Sequence, residues 1–230
     1  SLSLGTLGSG NHFIEVEKDD EGCLYAAVHS GSRHLGKEVT EYYLREGQKI
    51  LQEQGVKIPY ELTYLSGDLM VVQKFAELNR ACILDELAKG MKWKVEEKFS
   101  IPHNYVEQTE NLLMLRKGAI SAKRGEIVAI PIHMKAGILL GKGLGNTEWN
   151  ESAPHGSGRI MNREEIRKHH TVSQFKAEMK GIYCSCIGKE ILDEAPFAYR
   201  GMEEIVEQIQ DTVEVQKILK PIYNFKDGSN

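Results

Sequence analysis

Two short runs near the start of the sequence restrict the fold more than any other feature. Residues 13–18 and 24–29 are strand-like, and the polar turn Asp19-Asp20-Glu21-Gly22 joins them. This pattern predicts a β-hairpin, because glycine and acidic residues favour the tight turns between paired strands. Since the strands of a hairpin run antiparallel, the start of the first strand meets the end of the second. The hairpin therefore predicts that His12 and His29 lie close together.

Composition excludes several classes of protein. The 230 residues are 41% hydrophobic and 27% charged, as in ordinary globular proteins. No apolar run approaches the roughly 18 to 20 residues of a membrane span, so we expect no membrane contact and a cytoplasmic location. The net charge of −4 argues against bulk electrostatic binding to nucleic acid but is compatible with a local basic cleft. The four cysteines are too few for a disulfide framework, and we expect plain buried thiols.

The rest of the pattern predicts an α+β fold. One helix is expected over residues 36–54 and a second from Ser66, a candidate N-cap, to Gly90. Residues 93–138 have the pattern of strands, with a hairpin turn at Lys123-Arg124-Gly125-Glu126. Shorter elements follow, namely helices over 163–180 and 201–211 and a strand over 182–187. Strands and helices do not alternate regularly, which favours α+β, and we expect one catalytic domain over residues 1–230.

Four of the eight histidines lie in unusual local sequences. These are Asn11-His12-Phe13-Ile14-Glu15, His29-Ser30-Gly31-Ser32-Arg33, His103-Asn104-Tyr105-Val106-Glu107 and Pro154-His155-Gly156-Ser157-Gly158-Arg159. Imidazoles on adjacent strand ends suit a metal pair, although hydrogen-bonded surface histidines fit the same pattern. Around His155, glycines allow the backbone to approach a phosphate and Arg159 can bind that phosphate. An ordinary glycine-rich loop is the alternative for this segment.

These four sequences, in this order, resemble the RtcB family of RNA ligases. In that family the motifs Asn-His-Phe-x-x-Glu, His-Ser-Gly-Ser-Arg, His-Asn-x-x-Glu and His-Gly-x-Gly-Arg build the active site. Lys117-Gly118-Ala119, Gly141-Lys142-Gly143 and the closing segment from Asp193 to Gly228 also match. The resemblance covers essentially the whole chain. It implies an α+β fold in which mixed hairpins and helices surround a central active-site cleft.

The resemblance implies a role for each matched residue. His12 and His29 are similar to ligands of one metal ion, and His103 is similar to a ligand of a second. His155 is similar to the histidine that becomes covalently guanylylated, with Glu194 and Lys226 resembling residues that contact guanine. The residues that are similar to phosphate- or nucleotide-positioning groups are Asn11, Glu15, Arg33, Lys117, Asn146 and Arg159.

The activity that the resemblance implies is RNA ligation. The family joins a 3′-phosphate or 2′,3′-cyclic phosphate end to a 5′-hydroxyl end through a GMP-histidine intermediate. GTP is the cosubstrate, two Mn²⁺ ions are expected, with Zn²⁺ or Co²⁺ as substitutes, and archease is a possible partner. Cations suit this chemistry because each step concentrates negative charge on oxygen atoms. A metal-dependent phosphoesterase and a non-catalytic nucleotide- or RNA-binding relative stay open, and the four histidines favour the ligase.

The sequence departs from the family pattern at three places. The family's metal site also uses an Asp-x-x-Cys pair before the Asn-His motif, so we expect an N-terminal portion before Asn11 and an inactive isolated chain. Asp20-Glu21-Gly22-Cys23 resembles that pair but lies in the wrong order, and we do not assign it to the site. The segment 131–137 replaces the common Pro-Gly-Ser-Met-Gly, which puts its contacts to the triphosphate in doubt. Ser-Ala-Pro-His replaces Ser-Cys-Ser-His, which indicates a divergent subfamily.

Overall fold

The structure is a computed structural model that describes residues 3–55, 66–108 and 113–228. Helices and antiparallel strands occur together without regular alternation, so the predicted α+β class is confirmed. Among the described residues, no helix is both long enough and apolar enough to cross a membrane.

The chain divides into two compact units. The first consists of residues 1–8 and 30–98, and the second of residues 9–29 and 99–230. Whether these two units form one catalytic domain, as the sequence predicts for residues 1–230, depends on how they associate. The single domain therefore stays a prediction.

The first unit is helical. Helix α1 (Arg33–Tyr42) continues through a π-helical turn (Tyr43–Gly47) into α2 (Gln48–Glu53). This confirms the helix predicted over residues 36–54. The observed helix begins three residues earlier, at Arg33. Helix α3 (Ser66–Met91) confirms the second prediction within one residue at its C-terminal end.

A buried asparagine attaches the N-terminal segment to α3 within this unit. The Oδ1 atom of Asn79 accepts hydrogen bonds from the backbone amides of Gly5 (2.7 Å) and Thr6 (3.2 Å). Its Nδ2 atom donates to Ser30 Oγ at 3.0 Å. A fully buried amide is stable here because both of its polar atoms are hydrogen-bonded.

The second unit begins with the predicted hairpin. Strands β1 (Phe13–Lys18) and β2 (Leu24–His29) have the expected bounds, and Phe13 pairs with His29. Alternate residues of β1 are buried, so one face of this strand belongs to the interior and the other is partly exposed.

A long strand that the sequence interpretation missed, β10 (Val213–Phe225), organises the main sheet. Its first half pairs with β7 (Gly137–Gly143) and its second half with β1, in the order β2-β1-β10-β7-β6. Strand β6 covers Ile127–His133, and β9 (Tyr183–Cys184) adds a short parallel pairing to β10.

Two small sheets lie in the middle of the sequence. Strand β3 (Asn104–Gln108) pairs with β4 (Leu113–Lys117), and β5 (Ala119–Ser121) pairs with β8 (Ser152–Pro154). Strands were expected from residue 93 onward, but the described chain has none between 93 and 103. The predicted turn before β6 is confirmed, since the amide of Glu126 donates to Lys123 O at 2.9 Å.

The helix predicted over residues 163–180 is two helices, α4 (Arg163–His169) and α5 (Val172–Glu178). The chain becomes extended at His170, and a capping box begins each helix, at Asn162 for α4 and at Thr171 for α5. Helix α6 (Met202–Gln208) confirms the last predicted helix. The strand predicted over 182–187 is limited to β9.

Two apolar clusters hold the second unit together. The first packs the β5–β8 region against α6, with Ile120, Val128, Ile130, Leu139, Ile205 and Ile209 among its buried members. The second surrounds α4 and α5 and includes Met134, Ile166, Phe175, Met179 and Leu192. Burial of such side chains stabilises the fold by roughly 1.5–3 kcal/mol each.

Candidate functional site

The second unit brings four histidines from distant parts of the sequence into one row. The ring centroids of His12 and His29 are 5.7 Å apart, those of His29 and His103 are 5.0 Å apart, and those of His103 and His155 are 4.7 Å apart. The hairpin places the first two side by side, as its strand pairing predicts. The histidines of the four sequence motifs therefore lie together.

Gly118 joins the two later histidines. Its amide donates to Asn104 Oδ1 at 2.8 Å, next to His103. On the other side, the backbone amide of His155 donates to Gly118 O at 3.4 Å, and the amide of Ala119 donates to His103 O at 3.3 Å. Gly118 has a φ of +65°, a conformation that glycine adopts without the steric cost of a β-carbon.

The environment of His155 selects one tautomer of its ring. The Nδ1 atom of His155 lies 2.6 Å from Gly118 O. A carbonyl oxygen only accepts hydrogen bonds, so Nδ1 carries the proton in the neutral imidazole. The lone pair of the ring is consequently at Nε2, which can act as a nucleophile or a ligand.

The other histidines have properties that suit metal binding. The Nε2 atoms of His29 and His103 are 3.3 Å apart, so the two rings bring nitrogen atoms, which are donors suited to divalent metal ions, to one place. Burial, followed by the neighbouring His103 and His12, holds the pKa of His29 well below its usual value of 6.5. A neutral imidazole is the form that binds a metal ion. The residues present thus fit a divalent cation.

A cavity of about 320 Å³ adjoins this row, with His29 and His155 in its wall. Its volume lies at the lower end of the range for small-molecule pockets. The rest of its wall comes from the β1 face, the β6–β7 hairpin, the loop after His155 and the region near the C-terminus. Polar and aromatic members of this wall are Asn11, Phe13, Glu15, Arg159, Arg163, Glu194, Tyr199 and Lys226.

The segment 131–137, whose sequence differs from the family pattern, forms the end of β6 and the turn into β7. Pro131, Ile132, His133 and Met134 line the cavity. Ser157 binds this segment twice, because its amide donates to Pro131 O at 3.2 Å and its hydroxyl to Ile132 O at 2.7 Å. The divergent segment is therefore attached directly to the loop that follows His155.

The β1 face contributes buried carboxyl groups. Glu15 and Glu17 are 3% and 0% exposed, and Glu15 lies opposite Asn224 of β10. Burial raises the pKa of both glutamates above 4.5, and the charge of Glu15 raises that of Glu17 further. Within the described residues, neither side-chain oxygen of Glu17 has a hydrogen-bond partner. We therefore expect Glu17 to be protonated at neutral pH, since an isolated buried charge is costly.

Glu194 is the centre of a charged network in the cavity wall. It is 2% exposed, Arg163 Nη1 lies 2.6 Å from its Oε1 atom, and Arg159 Nη1 lies 3.3 Å from the same atom. The hydroxyl of Tyr199 donates to its other oxygen, and Lys226 Nζ lies 3.6 Å away. Several cations compensate for the buried carboxylate, which makes the network an ordered wall.

The donors of Arg159 and Lys226 are already engaged. Arg159 donates to Tyr199 and Glu194, and its Nε donates to Met161 O at 3.2 Å. Lys226 Nζ lies 5.3 Å from the ring centroid of Phe13 and 3.4 Å from Asn11 O. The role of Arg159 as a phosphate clamp stays a prediction, and in this structure its guanidinium holds the cavity wall.

Three other predicted site residues are not among the described residues that line the cavity. Lys117 ends β4 and is exposed. Asn146 caps a 3₁₀ turn, since its Oδ1 accepts from the amide of Glu148 at 3.0 Å and its Nδ2 donates to Asp211 O at 3.0 Å. Arg33 belongs to the first unit, where its Nε donates to Thr6 Oγ1 at 3.3 Å.

In the described residues of the hairpin turn, the potential metal-ligand atoms of three side chains lie within 4.8 Å of one another. These side chains are Asp19, Glu21 and Cys23. Lys217 occupies this group, with its Nζ 2.8 Å from Asp19 and 2.9 Å from Glu21. The hydrogen bond from Lys217 lowers the pKa of Asp19 to about 2. The turn lies at the opposite end of the hairpin from His12 and His29, as the antiparallel pairing requires. It is therefore separate from the histidine row.

Several residues of the site carry no local signal in the sequence. Arg163 and Tyr199 are brought to the cavity by α4 and by the 3₁₀ turn after Glu194, and Asn224 of β10 donates to Met134 O in the cavity wall. Phe13, Glu15 and Glu17 are the buried, alternate residues of β1. This period of two was the sequence signal that could have predicted the burial of Glu17.

A histidine row beside a cavity lined by cationic side chains and buried carboxyl groups suits metal-assisted phosphoryl transfer. The model of the family "tRNA-splicing ligase RtcB" matches residues 1–227. This chain belongs to the RtcB family.

Individual relatives agree with that assignment. The chain is 31% identical over 245 residues to RNA-splicing ligase RtcB1 of Escherichia coli, an alignment that covers 95% of this chain and 60% of the relative. RNA-splicing ligase RtcB of Escherichia coli K12 matches with the same identity and coverage. The tRNA-splicing ligase RtcB of Aeropyrum pernix is 28% identical over 264 residues, covering 89% of this chain and 55% of the relative. The chain thus spans about 60% of the length of the first two relatives.

Proposed function

We propose that this chain carries the guanylate-accepting site of an RNA ligase. The enzyme joins RNA 3′-phosphate or 2′,3′-cyclic phosphate ends to 5′-hydroxyl ends, in tRNA splicing or RNA repair. The observation that carries this proposal is the contact of His155 Nδ1 with Gly118 O at 2.6 Å. This contact orients the ring and leaves the lone pair on Nε2, as a nucleophile requires.

In the first step, Nε2 of His155 attacks the α-phosphorus of GTP while the bond to pyrophosphate breaks. An oxygen of the RNA 3′-phosphate then attacks the phosphorus of the adduct and releases the histidine. Finally, the 5′-hydroxyl attacks the activated RNA phosphate and GMP leaves. Gly156 and Gly158 leave space for the phosphates beside His155, since a glycine backbone permits close approach.

We assign the base of GTP to the cavity. Phe13 offers an apolar face, and Asn11, Glu15 and Lys226 offer polar atoms at its rim and floor. We propose that Arg159 contacts phosphate and that Glu194 contacts guanine, and these two residues also hold each other and Tyr199 in the wall. Lys117, Arg33 and Asn146 are proposed to contact RNA or phosphate in the complete enzyme.

His12, His29 and His103 are the residues that would hold divalent metal, with Mn²⁺ expected and Zn²⁺ or Co²⁺ as substitutes. The metal would stabilise negative charge on the phosphate oxygens. The pKa of His29 lies below its usual value, so this ring is neutral and ready to bind at physiological pH. An archease-type activating partner and location in the cytoplasm belong to the same proposal.

The test is a labelling experiment on the full-length protein that contains this chain. After incubation with GTP and Mn²⁺, peptide mass spectrometry should locate GMP on His155. The His155→Ala variant should form no adduct and should bind Mn²⁺ nearly as well as the wild type.

His133→Asn is the matched control, because His133 also lines the cavity. Its Nδ1 accepts from the amides of Lys135 (3.3 Å) and Ala136 (3.2 Å), a turn that asparagine can also form. This variant should keep the adduct. GMP attached to a lysine, or adduct formation in the His155→Ala variant, would refute the proposed nucleophile.

A further inference from the structure

Two cysteines near the C-terminal end of the second unit have their sulfur atoms in contact. Cys184 ends β9 and Cys186 lies in the turn that follows, and their Sγ atoms are 3.3 Å apart. Both side chains are half-buried, so reagents can reach them. Among the cysteines of the described chain, only these two form such a pair.

The pair is bonded to the strand that ends at the cavity. The backbone amide of Lys226 donates to Cys186 Sγ at 3.2 Å, and Cys184 pairs with Asn224 of β10. Lys226 lines the cavity with its side chain, and the buried Asn224 donates to Met134 O at 2.8 Å. The two sulfurs thus lie directly behind a residue of the cavity wall.

The ionisation of the two thiols favours thiol–disulfide exchange. The hydrogen bond from Cys186 lowers the pKa of the Cys184 thiol, and the same bond raises the pKa of Cys186. Lys226 contributes to the lower value at Cys184. A thiolate beside a thiol is the arrangement in which one sulfur attacks a disulfide and the other completes the exchange.

We propose that Cys184 and Cys186 form a reversible disulfide site that reacts with low-molecular-weight disulfides and controls the backbone position of Lys226. The Cys184 thiolate attacks one sulfur of the reagent, and a thiolate of the reagent leaves. Cys186, losing its proton to solvent, then attacks Cys184 in the mixed disulfide and releases the second reagent thiolate. The protein is oxidised by two electrons, and the reagent disulfide is reduced to two thiols.

Closure of the disulfide requires the two sulfurs to approach from 3.3 Å to about 2.05 Å. This movement disturbs the hydrogen bond that the backbone amide of Lys226 donates to Cys186 Sγ. The second half of the proposal, a change in nucleotide affinity, rests on the proposed function. Removal of one hydrogen bond that positions a binding residue predicts about fivefold weaker GTP binding.

The test uses the protein with Cys23→Ser and Cys82→Ser, which removes the other two cysteines of this 230-residue sequence. Equilibration in mixtures of oxidised and reduced glutathione, followed by acid quenching and intact-mass analysis, should show a reversible loss of two hydrogen atoms. Adding Cys184→Ser should abolish that loss. If the starting variant stays fully reduced in oxidised glutathione while its unfolded chain forms the disulfide, the proposal is overturned.

GTP titration of the reduced and oxidised forms tests the coupling. The oxidised form should bind about fivefold more weakly, and dithiothreitol should restore the affinity. Equal affinity in both forms would overturn the coupling to Lys226. If neither form bound GTP, the mass result would still support the disulfide site, whereas the proposed function would fail.

Discussion

At the scale of single residues, Gly118 and Glu17 show opposite ways of supporting a site. Gly118 adopts a conformation that an ordinary residue resists, and it uses that conformation to place its carbonyl against His155. Glu17 keeps a carboxyl group where water cannot reach it. The first determines the direction of a ring, and the second makes the native state sensitive to pH.

The Gly118→Ala variant should lose both stability and guanylylation. A β-carbon at a φ of +65° costs about 1 kcal/mol, and it would lie 3.4 Å from His155 Cε1. Relief of that strain moves the carbonyl that holds Nδ1 of His155, so the rate of adduct formation should fall. Thermal unfolding and mass-detected guanylylation measure the two effects.

Gly125→Ala is the matched control for that experiment. Gly125 has a φ of +78°, and its added β-carbon meets nothing within 4 Å. Its stability should fall by a similar amount while guanylylation is unchanged. An equal loss of guanylylation in both variants would show that stability alone, and not the position of the Gly118 carbonyl, sets the rate.

The pH dependence of stability should report the buried glutamates. The unfolded Glu17 carboxyl ionises near 4.5, whereas the folded one keeps its proton to much higher pH. The native state binds more protons in this window, so the free energy of unfolding falls as pH rises from about 4.5 through neutrality. The slope from this group is roughly 1 kcal/mol per pH unit.

Glu17→Gln keeps the neutral shape and removes the ionisation, so urea denaturation should give a flatter pH profile and a more stable protein at pH 8. Glu203→Gln, at an exposed position of α6, serves as the control and should retain the wild-type slope. A Glu17→Gln profile that follows the wild type would mean that Glu17 is charged in the native state.

At the scale of elements, two short helices of equal length begin with similar capping boxes but differ in what they carry. Helix α4 begins at Arg163, which contacts Glu194 in the cavity wall, whereas α5 carries Phe175 into the apolar cluster. The Asn162 side chain accepts from the amide of Glu165, and that of Thr171 accepts from the amide of Gln174. Substitutions at these two capping residues therefore distinguish the effect of helix stability from the effect of the geometry of the site.

Asn162→Ala and Thr171→Ala should each reduce stability by about 1 kcal/mol, because a cap is lost in both. Only Asn162→Ala should also weaken GTP binding, since fraying of α4 loosens Arg163. Calorimetric unfolding and GTP titration provide the two measurements. Equal GTP affinity in both variants would separate α4 from the nucleotide site.

The elements also show what sequence reasoning could reach. The β1–β2 hairpin was predictable because its turn and its alternation are local. Strand β10 was missed because its partners are distant in sequence and because Pro221 interrupts its pattern, where the register with Glu17 shifts. The same reason hid Tyr199 and Arg163, whose roles depend on contacts across the fold.

Cysteine environments depend on packing as well, and the prediction of plain buried thiols was wrong. Cys23 is exposed and the other three cysteines are half-buried. The separation of two positions between Cys184 and Cys186 was the local clue to the contacting pair, whereas Cys82 is a single half-buried thiol.

At the scale of the whole molecule, metal affinity should depend on ligands beyond the three histidines. Isothermal titration of Mn²⁺ into the 230-residue chain should show weak binding, and the same chain should not ligate RNA. A full-length protein with an added carboxylate and thiolate should bind two ions and be active. Tight binding of two ions by the 230-residue chain would contradict this and would direct attention to Asp20 and Cys23.

The central position of β10 also affects how the protein can be made. Ile14 of β1 pairs with Phe225 of β10, so the hairpin leaves the ribosome well before the strand that it pairs with. During that interval one edge of β1 has no sheet partner, and an unpaired edge is a template for association with other chains. Nascent chains that stop before residue 213 cannot close the main sheet, so chaperones that protect the edge of β1 until β10 is synthesised should help this unit to fold.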